Sequence, residues 1–249
     1  MRPTLFELGG ISVPSFWAMA FLGFFAAFLV ARSDLLRRGY GVDLAYDAML
    51  YAYVGGWVGA RLFLIPSAWD YFVQDPIRFL LTSSGWVWYG GLIGGAAAVG
   101  VLAYRRRISF WRFADVGAPA LALGQGIGRI GCQLSGDGDY GTPTDLPWGM
   151  SYPQGVVPTT DRVHPTPIYE AVAYFLIFLY LWRRRRQEPP AGDLIGRYLI
   201  LAATVRFLVE FVRRNPAWLA GFTTAQWMSV GLALVGFLLV RCKAIGDMP

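Results

Sequence analysis

The sequence predicts an all-α polytopic membrane protein with about seven transmembrane helices. Hydrophobic residues make up 55% of the 249 residues and charged residues only 15%, whereas a soluble domain carries about 25% charged residues. The apolar residues are gathered into long runs, and several of these runs end at a cluster of arginines. One span needs about 20 apolar residues, so the chain length suits a single bundle rather than a large soluble core.

Each predicted span is an apolar run bounded by polar or basic residues. In chain order the runs cover residues 12–31, 47–66, 85–104, 113–134, 165–182, 194–212 and 222–240. The first run has no basic segment before it and no small-residue cleavage site, so we predict a retained span rather than a signal peptide. The polar residues 135–163 are predicted to form a loop within a single integral-membrane domain of residues 1–249.

The basic residues predict the orientation. The ends of the odd-numbered spans, together with Arg197, hold about 14 of the 22 Lys and Arg residues, and such residues are retained in cytoplasmic loops. The N-terminus and the 135–163 loop are therefore predicted to be external and the C-terminus cytoplasmic. The net charge of +6 does not indicate nucleic-acid binding, because the basic residues do not form one contiguous face.

Three arginines lie inside apolar runs, namely Arg61, Arg129 and Arg206. A charge at the bilayer centre costs several kcal/mol unless it is paired or hydrated. One interpretation is a set of internal ion pairs with Glu170 or Glu210. The other is a polar cavity for a phosphate group, whose oxygens accept the forked donors of arginine. We expect Arg129 and Arg206 to approach one another across a cavity that opens toward the external half of the bilayer.

Glycines gather near two of these arginines and after Tyr89; those of interest are Gly90, Gly91, Gly128, Gly131 and Gly136. They are typical of close helix packing or of a backbone that a ligand approaches closely. Asp137 and Asp139 follow in the same loop, either as turn residues or as functional carboxylates. An EF-hand pattern is absent there, and we expect neither a metal nor another cofactor.

The single histidine, His164, begins a segment that also carries Tyr169 and Glu170 at the external end of a span. A structural and a functional role both remain open for it. Arg213 is predicted to lie at the external end of the sixth span, where water screens its charge. We therefore expect Arg206→Lys to impair the protein more than Arg213→Lys does.

Several short motifs follow one another in order along the chain. They are Gly-Arg-Ile-Gly at 128–131, Ser-Gly-Asp at 135–137, Tyr-Gly at 140–141, Pro-Trp-Gly-Met at 147–150, His-Pro-Thr-Pro-Ile-Tyr-Glu at 164–170 and Arg-Phe-Leu-Val-Glu-Phe-Val-Arg at 206–213. In this order they resemble the signature motifs of the prolipoprotein diacylglyceryl transferase family, over nearly the whole chain. Gly-Ala-Arg at 59–61 and Gly-Gly-Leu-Ile-Gly at 90–94 are similar to two further family motifs.

Some positions depart from the family pattern. Tyr89 stands where many members have a histidine, Cys132 and Ser135 replace two asparagines, and Asp137 or Asp139 replaces a glutamate. Phe16 and Ala202 stand at two positions where the family has tyrosine. These changes fall in the region that the resemblance implies to be the site.

The resemblance implies an enzyme of the bacterial inner (plasma) membrane. Such an enzyme moves the diacylglyceryl group of phosphatidylglycerol to the lipobox cysteine thiol in the signal peptide of a prolipoprotein, and glycerol phosphate leaves. Arg129 and Arg206, helped by Arg61, would stabilise the phosphate. The thiol must be deprotonated to attack.

The candidate catalytic residues are Tyr89, His164, Asp137 and Asp139. Tyr89 is better suited to donate a hydrogen bond than to accept a proton, because tyrosine titrates near pH 10. Tyr169, Glu170, Glu210 and the glycines named above would support the site. Two alternatives remain open, namely a diverged member that uses another acceptor and a non-enzymatic lipid-binding membrane protein.

Overall fold

Each of the seven predicted spans coincides with a helix in the computed structural model, which describes residues 1–8, 11–81 and 88–241. The α-helices in these ranges are α1 (Ser15–Arg37), α2 (Val42–Leu62), α3 (Trp69–Gln74), α4 (Pro76–Leu81), α5 (Trp88–Arg105), α6 (Phe110–Ser135), α7 (Thr166–Arg184), α8 (Asp193–Val209) and α9 (Thr224–Arg241). The predicted start of the third span, at residues 85–87, lies outside the described residues.

The apolar character of these helices is consistent with a membrane protein. Among the described residues, α1 and α9 are long and apolar enough to cross a membrane, and Gly90–Arg105 within α5 forms a shorter apolar stretch. The chain divides into two compact units. The first comprises Met1–Ala31 and Ala114–Pro249, and the second comprises Arg32–Phe113.

The second unit is built on the close packing of α2 against α5. A Cβ atom on Gly59 would lie 2.3 Å from the Gly90 carbonyl oxygen, and one on Gly94 would lie 2.3 Å from the Gly55 carbonyl oxygen. Real side chains do not tolerate such distances, so glycine is required at this crossing. Of the two interpretations of Gly90, helix packing is therefore the one that the structure supports.

The first unit has its apolar core between α6, α7 and α8. Buried residues of this core are Ala118, Ala122, Tyr174, Ile177, Leu181, Leu194 and Tyr198. The buried Asp115 carboxylate accepts hydrogen bonds from the backbone N–H groups of Gly192 (2.8 Å) and Ile195 (2.9 Å). Asp115 of α6 thus satisfies donors at the start of α8 that would otherwise lack a partner.

Two β-hairpins were not predicted. Strand β1 (Thr4–Leu8) pairs antiparallel with β2 (Ile11–Pro14). The first helix therefore begins at Ser15 instead of residue 12, and the Ser15 N–H binds the Pro3 carbonyl oxygen at 2.8 Å. In the predicted loop, β3 (Met150–Tyr152) pairs antiparallel with β4 (Thr159–Val163). The 135–163 segment, which was predicted as a loop, therefore contains regular secondary structure.

Candidate active site

Glu170 of α7 lies between Arg129 of α6 and Arg206 of α8. Arg129 Nε is 3.2 Å from Glu170 Oε2, and Arg206 Nη1 is 3.6 Å from Glu170 Oε1. The Glu170 side chain is fully buried, whereas each arginine side chain is 25% exposed. The two arginines therefore approach one another, as expected, and the carboxylate that was considered as an internal partner joins them. The cavity between them, open to the external half of the bilayer, stays a prediction.

Arg213 belongs to the same network, which corrects the expectation that water screens it. Its side chain is only 10% exposed, with Nη2 at 2.5 Å from Asp139 Oδ1 and Nη1 at 3.7 Å from Glu170 Oε2. The reason is local backbone geometry. After α8 the chain tightens into a 3-10 turn at Glu210–Val212, and Arg213 then adopts an extended conformation that pairs with Gly141.

Glu210 is the second fully buried carboxylate. It lies 2.9 Å from Arg206 Nη2 and 3.9 Å from Arg213 Nε. Its Oε1 also accepts hydrogen bonds from Asn215 Nδ2 at 2.7 Å and Thr223 Oγ1 at 2.9 Å. Asn215 and Thr223 were not predicted from the sequence. The signal that could have found them is a pair of polar residues that flanks a tryptophan-containing turn between two apolar runs.

Asp139 is the third carboxylate and joins Arg129 to Arg213. Two glycines give its loop the required shape, because Gly136 (φ +60°) and Gly138 (φ +93°) adopt left-handed conformations that side chains disfavour. A Cβ on Gly136 would also lie 2.8 Å from Gly155 Cα. Asp137 and Asp139 therefore lie in a turn, as one of the two interpretations predicted, and Asp139 also forms ion pairs with Arg129 and Arg213.

The two aspartates have opposite electrostatic environments. Burial by itself would raise the pKa of Asp139, but the charges of Arg129 and Arg213 hold it below its ordinary value. Burial raises the pKa of Asp137, and the negative charge of Asp139 raises it further. Neighbouring carboxyl groups whose pKa values are pushed apart are typical of acid–base sites. Asp139 is therefore the more acidic of the two carboxyl groups and Asp137 the less acidic.

The buried Cys132 thiol lies next to these aspartates. Ligand atoms of Cys132, Asp137 and Asp139 lie within 4.8 Å of one another, a grouping that a cation can use. However, a cation there would also face Arg129 and Arg213, both of which bind Asp139. The guanidinium groups of Arg129 and Arg213 beside Asp139 therefore disfavour a metal ion at this place.

The side chains of the network differ in accessibility. Glu170 and Glu210 are fully buried, whereas Arg129, Arg206 and Asp139 remain 25–30% exposed at their side chains. Buried carboxylates thus hold guanidinium groups whose other faces stay accessible. The two glycines beside Arg129 have different surroundings. A Cβ on Gly128 would have no described atom within 4 Å, so the space next to Arg129 is open there, whereas a Cβ on Gly131 would lie 3.0 Å from Met19 Cβ.

The His164 imidazole lies within hydrogen-bond distance of a tyrosine hydroxyl group. Its Nδ1 is 3.3 Å from the Tyr169 hydroxyl oxygen, which also accepts a hydrogen bond from Trp148 Nε1 at 2.8 Å. The backbone of His164 pairs with the loop that carries Asp139, through Gly141 N–H to His164 O (2.8 Å) and His164 N–H to Thr142 O (3.0 Å). Trp148 had not been proposed as a site residue, although it stands in a quoted motif.

The remaining predicted site residues belong to the second unit. Arg61 is buried near the end of α2, and Gly90 and Gly91 lie in the first turns of α5. Tyr89 also lies in α5, but its side chain is outside the described part of the chain. Its suggested role therefore stays a prediction.

Comparison with known proteins agrees with the motif order and this geometry. A sequence model of the prolipoprotein diacylglyceryl transferase family matches residues 3–242. The chain belongs to this family. The prolipoprotein diacylglyceryl transferase motif at 206–213 supplies Arg206, Glu210 and Arg213 to one network, which explains its spacing: an i, i+4 ion pair followed by a turn that brings Arg213 back.

Individual family members are similar over their whole length. The phosphatidylglycerol–prolipoprotein diacylglyceryl transferase of Geobacter sulfurreducens is 34% identical over 260 residues, covering 98% of this chain and 97% of its own. The enzyme of that name from Clostridium tetani is 32% identical over 242 residues, covering 96% of each chain. Transferase 2 of Clostridium perfringens is 31% identical over 248 residues, covering 98% of this chain and 96% of its own.

Proposed function

We propose that this protein transfers the diacylglyceryl group of phosphatidylglycerol to the lipobox cysteine thiol of a prolipoprotein and releases glycerol phosphate. The observation that carries the proposal is the arginine network in a chain of this family. Three guanidinium groups are held by buried carboxylates while the side chains of Arg129 and Arg206 remain partly accessible. A lipid phosphate is an anion that such groups bind with charge-assisted hydrogen bonds.

The arginines act on the leaving group. When the thiolate sulfur attacks the glyceryl carbon, the carbon–oxygen bond to phosphate breaks and its electron pair passes to the phosphate oxygen. Donors placed where this charge develops lower the barrier. Asp139 is the one carboxylate of the network that is 30% exposed, so it is the one that a lipid phosphate displaces from Arg129 and Arg213.

Asp137 is the candidate base for the incoming thiol. The thiolate is the nucleophilic form, and a carboxylate with a raised pKa accepts a proton more readily than an ordinary one. Burial and the charge of Asp139 give Asp137 that property. The thiol proton thus passes to Asp137, and the sulfur replaces the phosphate oxygen on carbon.

We also propose a single multi-pass domain of the bacterial inner membrane with seven spans, an external N-terminus and 135–163 segment, and a cytoplasmic C-terminus. The support is that α1, α5, α7 and α9 each carry arginine in their last turn, whereas the last-turn arginines of α2 and α8 are Arg61 and Arg206 of the predicted site. A membrane-impermeant thiol reagent on intact spheroplasts should label Val156→Cys, whereas Arg186→Cys should react only after lysis. The reverse pattern would show an inverted topology.

Rescue of a bacterial strain depleted of its own transferase tests the reaction. The chain should restore growth and lipidate a lipobox peptide with labelled phosphatidylglycerol, whereas Arg129→Gln should do neither at equal expression. Turnover of the lipid without peptide modification would indicate a diverged member with another acceptor. Binding of the lipid without turnover would indicate a non-enzymatic lipid-binding protein.

A further inference from the structure

The hydroxyl group of Tyr169 lies between two nitrogen atoms. Trp148 Nε1 is 2.8 Å from the oxygen and His164 Nδ1 is 3.3 Å from it. An indole N–H can only donate a hydrogen bond, whereas a neutral imidazole has one donor and one acceptor nitrogen. The hydrogen between the Tyr169 oxygen and Nδ1 belongs either to the phenol or to the imidazole, and the tautomer of His164 follows from which of the two donates it.

The donor inventory decides this question. Because Trp148 already donates a short hydrogen bond to the Tyr169 oxygen, a second donor there would compete with it, and the phenol proton is the one left to bridge to a further partner. The neighbour at hydrogen-bond distance is Nδ1 of His164. Nδ1 then accepts, and a neutral imidazole must carry its proton on Nε2, on the edge that points away from Tyr169.

The surroundings fix both partners. Tyr169 lies in the first turn of α7, directly before Glu170 of the arginine network. Thr166, which also lies in that turn, donates its hydroxyl proton to the Asp139 carbonyl oxygen. The backbone of His164 is paired with Gly141 and Thr142. The backbone of His164 is thus held by the same loop that supplies Asp139 to the arginines.

We propose that Tyr169 is a positioning residue that holds His164 in the Nε2–H tautomer, so that His164 donates a hydrogen bond to an oxygen of the bound phospholipid. The inference rests on the proposed function for the identity of that lipid. It removes His164 from the candidate bases, because the nitrogen that could accept a thiol proton is already bonded to Tyr169. It leaves Asp137 in that role.

Nitrogen-15 NMR of the full-length protein tests the tautomer directly. His164 is the only histidine in the sequence, so histidine labelling and a histidine-free affinity tag give one imidazole. At a pH where the ring is neutral, Nε2 should be protonated and Nδ1 not. Tyr169→Phe should abolish this preference. Tyr180→Phe is the matched control, because its hydroxyl accepts from Arg197 Nη1 at 3.1 Å, farther along the same helix, and it should leave the spectrum unchanged.

Two substitutions separate a donor from a base. The amide nitrogen of His164→Gln reaches the place of Nε2 and donates without being basic, whereas that of His164→Asn reaches only the place of Nδ1. We expect His164→Gln to retain activity within about threefold and His164→Asn to lose about tenfold or more, the range for one hydrogen bond to a charged group. Equal loss in both variants, or a wild-type ring protonated at Nδ1, would overturn the proposal. The NMR result does not require turnover, so a failure of the proposed reaction would be recognised separately.

Discussion

Arg213 Nη2 lies 2.5 Å from Asp139 Oδ1, and this ion pair joins the turn after α8 to the loop after α6 across 74 residues of sequence. Because the Arg213 side chain is only 10% exposed, its charge is not screened as the sequence suggested. Removal of one partner would leave the other charge without its counter-ion in a site that is largely shielded from water, which is costly.

We therefore expect Arg213→Lys to impair turnover about as much as Arg206→Lys, which replaces the ranking that the sequence predicted. Lysine keeps the charge but loses the planar fork with which Arg213 reaches both Asp139 and Glu170. Turnover of labelled phosphatidylglycerol by purified variants measures this. Arg186→Lys, an exposed change in the basic cluster after α7, is the control and should retain wild-type activity. A fully active Arg213→Lys would contradict the prediction.

Glu170 is expected to contribute to stability as well as to the site. Glu170→Gln would leave Arg129, Arg206 and Arg213 with one carboxylate fewer in a buried environment. We expect a loss of about 3–5 kcal/mol in the free energy of unfolding, seen as a lower Tm in detergent. Glu7→Gln, an exposed change in β1, should leave Tm unaltered. An equal Tm for the two variants would show that the arginines do not depend on Glu170.

The opposite pKa shifts of the two aspartates predict a pH dependence. If Asp137 is the base, activity rises as pH rises through its pKa, which lies above the ordinary aspartate value of about 3.9. The rate of Asp137→Asn should be low and should lack this rising limb. The measurement is the pH profile of kcat/KM for wild type and variant with the lipobox peptide. The same limb in both would exclude Asp137 as its origin.

Stability should respond to pH in the opposite sense at the two residues. The contribution of Asp139, whose pKa is lowered, is present above about pH 4 and is lost as pH falls through the folded-state pKa. The contribution of Asp137, whose pKa is raised, is present below about pH 4 and is lost as pH rises through the folded-state pKa. The measurement is Tm as a function of pH for wild type and Asp139→Asn. The loss of Tm at acidic pH that Asp139 causes should be absent from the variant, and the dependence caused by Asp137 should remain.

The packing of α8 against α9 offers a test of glycine with an internal control. A Cβ on Gly236 would lie 2.5 Å from the Gly196 carbonyl oxygen, whereas one on Gly231 of the same helix would have no described atom within 4 Å. We expect Gly236→Ala to lower Tm and Gly231→Ala to raise it slightly, because alanine favours helix by about 1 kcal/mol over glycine. Similar Tm values for the two variants would contradict the close crossing.

Tyr89 retains the prediction made from its place before two glycines. If its hydroxyl binds the phosphate or the thiol, Tyr89→Phe should lose about 1.5–3 kcal/mol of stabilisation, or about tenfold to a hundredfold in rate. The test is lipid turnover by the purified variant, with folding checked by Tm. An unchanged rate in a folded variant would leave Tyr89 as a passive replacement for the histidine that many family members have there.

More of the helices than of the site could be predicted from the sequence. The apolar runs predicted α1, α2 and α5 to α9 because long runs between basic clusters leave few alternatives. The hairpin of β3 and β4 escaped prediction, since its short strands lie in a segment whose glycines and prolines indicate turns. The burial of Arg213 escaped it because a 3-10 turn at Glu210–Val212 changes the direction of the chain.

The first turn of α7 carries Tyr169 and Glu170 as direct neighbours, one bonded to the imidazole and the other to the arginines. Neighbouring residues on a helix point about 100° apart, so one short stretch of backbone orients two different chemical groups. Any rotation of this turn moves both groups in the same sense. An insertion or deletion near Thr166 would therefore displace the imidazole contact and the arginine contact together. Redesign of acceptor or lipid preference must instead substitute side chains and keep the length of this turn.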